Sequence, residues 1–170
     1  MTGVLDSFYR LVTKAIMALT FVAAGVVLVQ VLWISYGVFM RYVMNSPDRM
    51  VTEATALLLV PVAFAGLGFA LREDAYPKVT LITERFSEKI QYILAIVNFV
   101  LMFGVGLFFS ISATKAFFRA YDSGAASEIL LWPRFYFWGP VAIALICFSL
   151  YTFLRLIRAI VLRDVTAGEN

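Results

Sequence analysis

The chain has 170 residues, of which 62% are hydrophobic and 15% charged, and none is histidine. Its mean hydropathy of +0.90 lies well above that of a soluble domain, and its net charge of +3 reports loop topology rather than nucleic-acid binding. Without histidine, paired axial haem ligation, histidine proton relays and the usual zinc sites are excluded. The single cysteine, Cys147, allows no internal disulfide and reads as a small buried apolar residue.

Four apolar runs, at roughly 15–40, 54–71, 92–114 and 136–154, contain no Lys, Arg, Asp or Glu. A hydrocarbon core about 30 Å thick needs about 20 apolar residues in a helix. Each run meets or approaches that length and is bounded by charge. A soluble helix shows a polar face, and stretches such as Ala56–Ala70 offer none. The expected fold is therefore an all-α membrane protein with four transmembrane helices in one domain spanning 1–170. The first run far exceeds the 7–15 residues of a signal peptide's apolar region and reads as a retained anchor.

In the first loop, Ser46-Pro47-Asp48 offers an N-cap hydroxyl, a proline for the first helical position and an acid for the first turn. The second helix is expected to start near Ser46 and to bring Glu53 to the interface. Pro61 interrupts its apolar stretch and predicts a kink. Beyond it Ala63, Gly66 and Ala70 stand three and four apart, the small-residue spacing that allows close helix approach in lipid.

The middle loop places Val79, Ile82, Phe86 and Ile90 on one helical face, with Glu84, Arg85, Glu88 and Lys89 opposite. That pattern predicts a short interfacial amphipathic helix in the headgroup region; a solvated lead-in to span three is the other reading. Span three contains Asn98 and the pair Gly104 and Gly106, and ends in a basic, aromatic stretch, Lys115–Tyr121. The tip 122–128 is small and polar, as a turn requires. Span four is entered through Trp132, Pro133, Tyr136 and Trp138. With Trp33, Tyr36 and Tyr42 these form an aromatic belt on the non-cytoplasmic side.

Nine of the 14 Lys and Arg residues fall before span one, in the middle loop or after span four; the other five fall in loops one and three. Both termini are thus expected in the cytoplasm. The spans hold no nucleophile with a base, no phosphate-cradling loop and no charge at mid-depth for a substrate or ion. Gln30 and Asn98 are the polar exceptions, and interhelical hydrogen bonding is the expected role of both. Arg41, Glu53 and Arg72 stand at span ends, where snorkelling and topology compete with specific salt bridges. Function is therefore expected through a partner, with Arg41, Glu53, Gly66, Ala70, Arg72, Gly104 and Gly106 as candidate subunit-interface or structural residues. No catalytic, metal or cofactor residue is assigned.

A characteristic order of features runs along the chain. Phe39-Met40-Arg41-Tyr42 ends span one, Glu53 opens span two, and Ala70-Leu71-Arg72-Glu73 closes it. An amphipathic segment and a proline-aromatic entry to span four follow. Over roughly residues 30–160 this resembles the small, Q-type membrane subunit of TRAP (tripartite ATP-independent periplasmic) transporters. Tyr76 and Thr80 stand where members often carry a histidine and then an aspartate. A tryptophan frequent before the glutamate is also absent, with Met50 and Val51 nearby. The resemblance implies a non-catalytic inner-membrane subunit without cofactor, partnered by a large M-type membrane subunit and a periplasmic substrate-binding protein. It also implies sodium-coupled uptake of an organic acid of the dicarboxylate or sialic acid class. A small subunit of a tripartite tricarboxylate transporter or of an electron-transfer complex is the alternative.

Overall fold

A computed structural model describes residues 2–46, 48–76 and 86–162. They form four helices: α1 (Thr2–Tyr42), α2 (Arg49–Arg72), α3 (Glu88–Ser123) and α4 (Phe135–Leu162). All four are long and apolar enough to cross a membrane. At 1.5 Å per residue α1 is about 62 Å long and α3 about 54 Å, so both extend beyond a bilayer's hydrocarbon core. The expected interfacial helix at 78–90 lies mostly outside the described residues; Phe86 and Ile90 are within them, both exposed, with Ile90 in the first turn of α3.

The helix ends follow local chemistry. The N-cap of α2 is Asp48, whose carboxylate accepts the Met50 N–H at 2.8 Å, so the helix starts two residues beyond the expected Ser46 cap. The helix runs through Pro61 to Arg72. Gly124, at φ 61°, takes the left-handed conformation that ends α3. A tight return follows, in which Arg134 N–H donates to the Ala125 carbonyl and Ser127 N–H to the Trp132 carbonyl, each at 2.9 Å.

Packing is unequal. Of the most apolar stretch of α4, 56% is buried, against 17% in each of the other three helices. It lies against α1, α2 and α3 and is the centre of the bundle. Its Phe148, Tyr151 and Leu154 close with Val12, Ile16 and Leu71 into one cluster. Its Val141, Ala142 and Leu145 close with Ala113 of α3 into another.

Three glycines set how closely the helices approach. A Cβ on Gly106 would lie 2.9 Å from Ser149 Oγ and 3.0 Å from the Phe148 ring. One on Gly68 would meet Ile16 at 3.1 Å, and one on Gly37 would meet Val51 at 2.8 Å. These contacts make α1 and α2 antiparallel neighbours and seat α3 on α4. The outer faces of α1, α2 and α3 remain covered with exposed Leu, Val, Ile and Phe, a surface suited to lipid or to another membrane helix.

Candidate functional site

Two polar assemblies mark the two ends of the bundle. At the end holding the α3–α4 return, Glu53 projects from the first turns of α2 across to residues 128–130. Its Oε1 accepts N–H bonds from Glu128 at 2.8 Å and Ile129 at 3.1 Å, and its Oε2 from Ile129 at 3.0 Å and Leu130 at 2.7 Å. A carboxylate is suited to this task because it is acceptor-only with two oxygens. Three successive N–H groups of a chain reversal are satisfied at once, and the return is tied to α2. Next to this clamp the return carries exposed Ile129, Leu131 and Trp132, with Leu131 in the left-handed region at φ 55°.

At the opposite end Arg155 of α4 is buried. Its Nη1 donates to the Leu71 carbonyl at the end of α2, at 3.2 Å, and pairs with Asp74 Oδ1 at 3.3 Å. Its guanidinium lies 5.4 Å from the centre of the Phe99 ring on α3. One turn on, Arg158 covers the Tyr9 ring at 4.7 Å, and Tyr9 and Tyr151 share a hydroxyl hydrogen bond of 2.9 Å. Tyr92 donates to the Ala159 carbonyl at 3.0 Å. Residues of all four helices thus meet around the end of α4.

The residues singled out in the sequence do not converge on one cavity. Arg41 is exposed in the last turn of α1 and lines a cleft of about 440 Å³ with Gly37, Tyr42, Asp48 and Thr52. Arg72 pairs with its neighbour Glu73 at 3.5 Å, an exposed contact of small energetic weight. Gly66 and half-buried Ala70 lie on one face of α2, and among the described residues a Cβ at Gly66 would meet nothing within 4 Å. Gly104 and Gly106 point in opposite directions, Gly106 into α4 and Gly104 into open space. Tyr76 is half-buried and its hydroxyl donates to the Leu67 carbonyl at 3.1 Å.

The two intramembrane amides part company. Gln30 is buried and its Nε2 donates to the Thr55 carbonyl of α2 at 3.2 Å, the interhelical bond expected of it. Asn98 is exposed, and among the described residues its side chain has no hydrogen-bond partner. Reading the sequence missed Arg155 as a binding group, because it directly follows the fourth apolar run and so reads as part of a basic tail. The available signal was its position four residues, one helical turn, after Tyr151. Among the described residues no group of three or more His, Cys, Asp or Glu is placed to hold a metal.

The family model for the DctQ component of tripartite ATP-independent periplasmic transporters matches residues 30–162. That stretch runs from Gln30 through the Glu53 clamp to the last residue of α4. No curated protein and no solved structure matches the chain.

Proposed function

The chain belongs to the DctQ family of TRAP transporter components, and we propose that it is the small subunit that holds the large permease subunit in the membrane during uptake. A multi-pass inner-membrane component of a transporter acts either by carrying substrate or by supporting a neighbour that does. The second role is favoured by where the charges lie. Buried Arg155 is engaged by Leu71, Asp74 and Phe99 at one end of the bundle, and Glu53 is engaged by backbone at the other. Between them the described residues offer apolar side chains, two isolated amides and hydroxyls that mostly return to carbonyls of their own helices. That is a poor medium for a carboxylate substrate or a sodium ion and a good one for packing against helices.

In this reading the large M-type subunit carries the substrate and sodium sites. A periplasmic binding protein delivers an organic acid of the dicarboxylate or sialic acid class. The Glu53 end, with its aromatic belt, faces the periplasm, and both termini face the cytoplasm, following the nine-to-five distribution of Lys and Arg. The single observation that carries the proposal is the family match over residues 30–162. Affinity purification from membranes holding this chain and the large subunit of its transporter tests it. The two are expected to elute together in fixed proportion; elution of this chain alone would overturn the proposal.

A further inference from the structure

Three surfaces stand outside the polar assemblies already described: the cleft beside Arg41, an apolar crevice lined by Leu19, Pro61 and Tyr136, and the outward face of α3. The third carries a specific chemical demand. Helix α3 turns Phe99, Gly106, Ser110 and Ala113 inward. On its other side Leu101, Val105 and Phe108 are 62%, 56% and 65% exposed, and Gly104 opens a gap between Leu101 and Phe108. Asn98, Val105 and Ser112 recur every seven residues along this face, with Leu101 and Phe108 between them. That is the spacing with which one helix seats another.

Asn98 sets what can cover the face. It lies ten residues from Glu88, about 15 Å along the helix, and 17 residues from Lys115, about 26 Å. It therefore sits within the hydrocarbon core, about 5 Å to the Glu88 side of the midpoint between those charges. Its amide offers two donors and an acceptor, and at that depth no water is present to engage them. Ser112 repeats the pattern. Ser110 and Thr114 on the same helix return their hydroxyls to carbonyls one turn back at 2.8 Å, whereas exposed Ser112 makes no such bond among the described residues. Gln30, the other intramembrane amide, is both buried and bonded.

Lipid tails would fill the apolar part of this face but bring nothing to the amide. A soluble partner cannot reach its depth. A membrane helix with a polar group opposite Asn98 meets both requirements, and Gly104 lets its backbone come close.

We propose that the α3 face running from Asn98 to Ser112 is the seat of a transmembrane helix of the large permease subunit, which supplies a hydrogen-bonding group to the Asn98 amide. The inference rests on the reading of this chain as a subunit of a membrane complex and names the surface through which it acts.

The test is photo-crosslinking in native membranes that hold both subunits, with a benzophenone side chain introduced at position 101 or 108. Positions 21 and 28, on the exposed face of α1, serve as controls. Adducts with the large subunit are expected from 101 and 108 and not from 21 or 28. Asn98→Leu should lower the retention of the large subunit on this chain by about three- to thirtyfold, the span of measured intramembrane hydrogen bonds. Among the described residues the exposed Asn98 side chain has no hydrogen bond to lose, so the thermal stability of the isolated Asn98→Leu variant should match the wild type. An intact complex that gives no adducts from α3, adducts to a second copy of this chain, or undiminished retention of Asn98→Leu would each overturn the assignment of this face while leaving the subunit reading in place. Failure of the wild-type chain to retain the large subunit at all would overturn both.

Discussion

Glu53 and Leu130 are joined across 77 positions of sequence by a hydrogen bond of 2.7 Å, the shortest of four that the Glu53 carboxylate accepts from the α3–α4 return. The return has no apolar core of its own. Its conformation depends on backbone bonds within it, on the buried Ser127 hydroxyl that accepts the Trp132 N–H at 3.0 Å, and on this carboxylate, so α2 and the entry to α4 are held as one unit. Glu53→Ala removes the acceptor from three N–H groups, and Glu53→Gln leaves one acceptor oxygen in place of two. Amide hydrogen exchange at 128–130 should accelerate several-fold in the alanine variant and less in the glutamine variant, with the helix cores unchanged. Unchanged exchange in Glu53→Ala would mean that the return holds itself.

The two glycines of α3 should respond oppositely to a methyl group. Gly106→Ala drives a Cβ against Ser149 Oγ and the Phe148 ring, an overpacking that costs about 1–3 kcal/mol. A Cβ at Gly104 meets nothing within 4 Å among the described residues, so Gly104→Ala, which removes a glycine from a helix interior, should leave the isolated protein as stable or up to about 1 kcal/mol more stable. Thermal unfolding of the two variants in the same detergent checks both values. Equal destabilisation would contradict the seating of α3 on α4.

Arg155 should contribute to stability through its charge and through its flat guanidinium. In Arg155→Met the Leu71 carbonyl loses its guanidinium donor and keeps the backbone N–H contacts from Glu73 and Asp74, and the charge over Phe99 is lost. A loss of about 1–3 kcal/mol is expected. Arg155→Lys keeps the charge without the planar surface that covers the ring, and should fall between wild type and Met. Chemical unfolding of the three proteins, each reconstituted in the same lipid, gives the order directly.

Topology is open to direct test. A reporter active only in the periplasm should be silent when fused after Asn170 and active when inserted at 122–128. The opposite pattern would show that the Lys and Arg bias does not orient this chain.

How much of this was legible in the sequence depended on the kind of interaction. The four spans stood out because burial in lipid demands runs free of charge, and composition records that demand. The true helix ends did not: α1 begins at Thr2 and α3 runs to Ser123, since backbone hydrogen bonding continues past the point where hydropathy falls. Glu53 was flagged as a span-end charge, yet its partners are backbone N–H groups 75 to 77 positions away, and such groups carry no side-chain signature. Gly104 and Gly106 read as a pair, but residues two apart on a helix face different directions. Asn98 and Gln30 were indistinguishable as letters, and only the packing of α3 against α4 and of α1 against α2 separates an amide with a partner from one without.

Substrate uptake into proteoliposomes tests the central claim most directly. Vesicles would contain this chain alone, the large subunit alone, or both, each supplied with the loaded binding protein and a sodium gradient. A supporting subunit predicts full uptake with both proteins, reduced or no uptake with the large subunit alone, and none with this chain alone. Uptake by this chain without the large subunit would contradict the account.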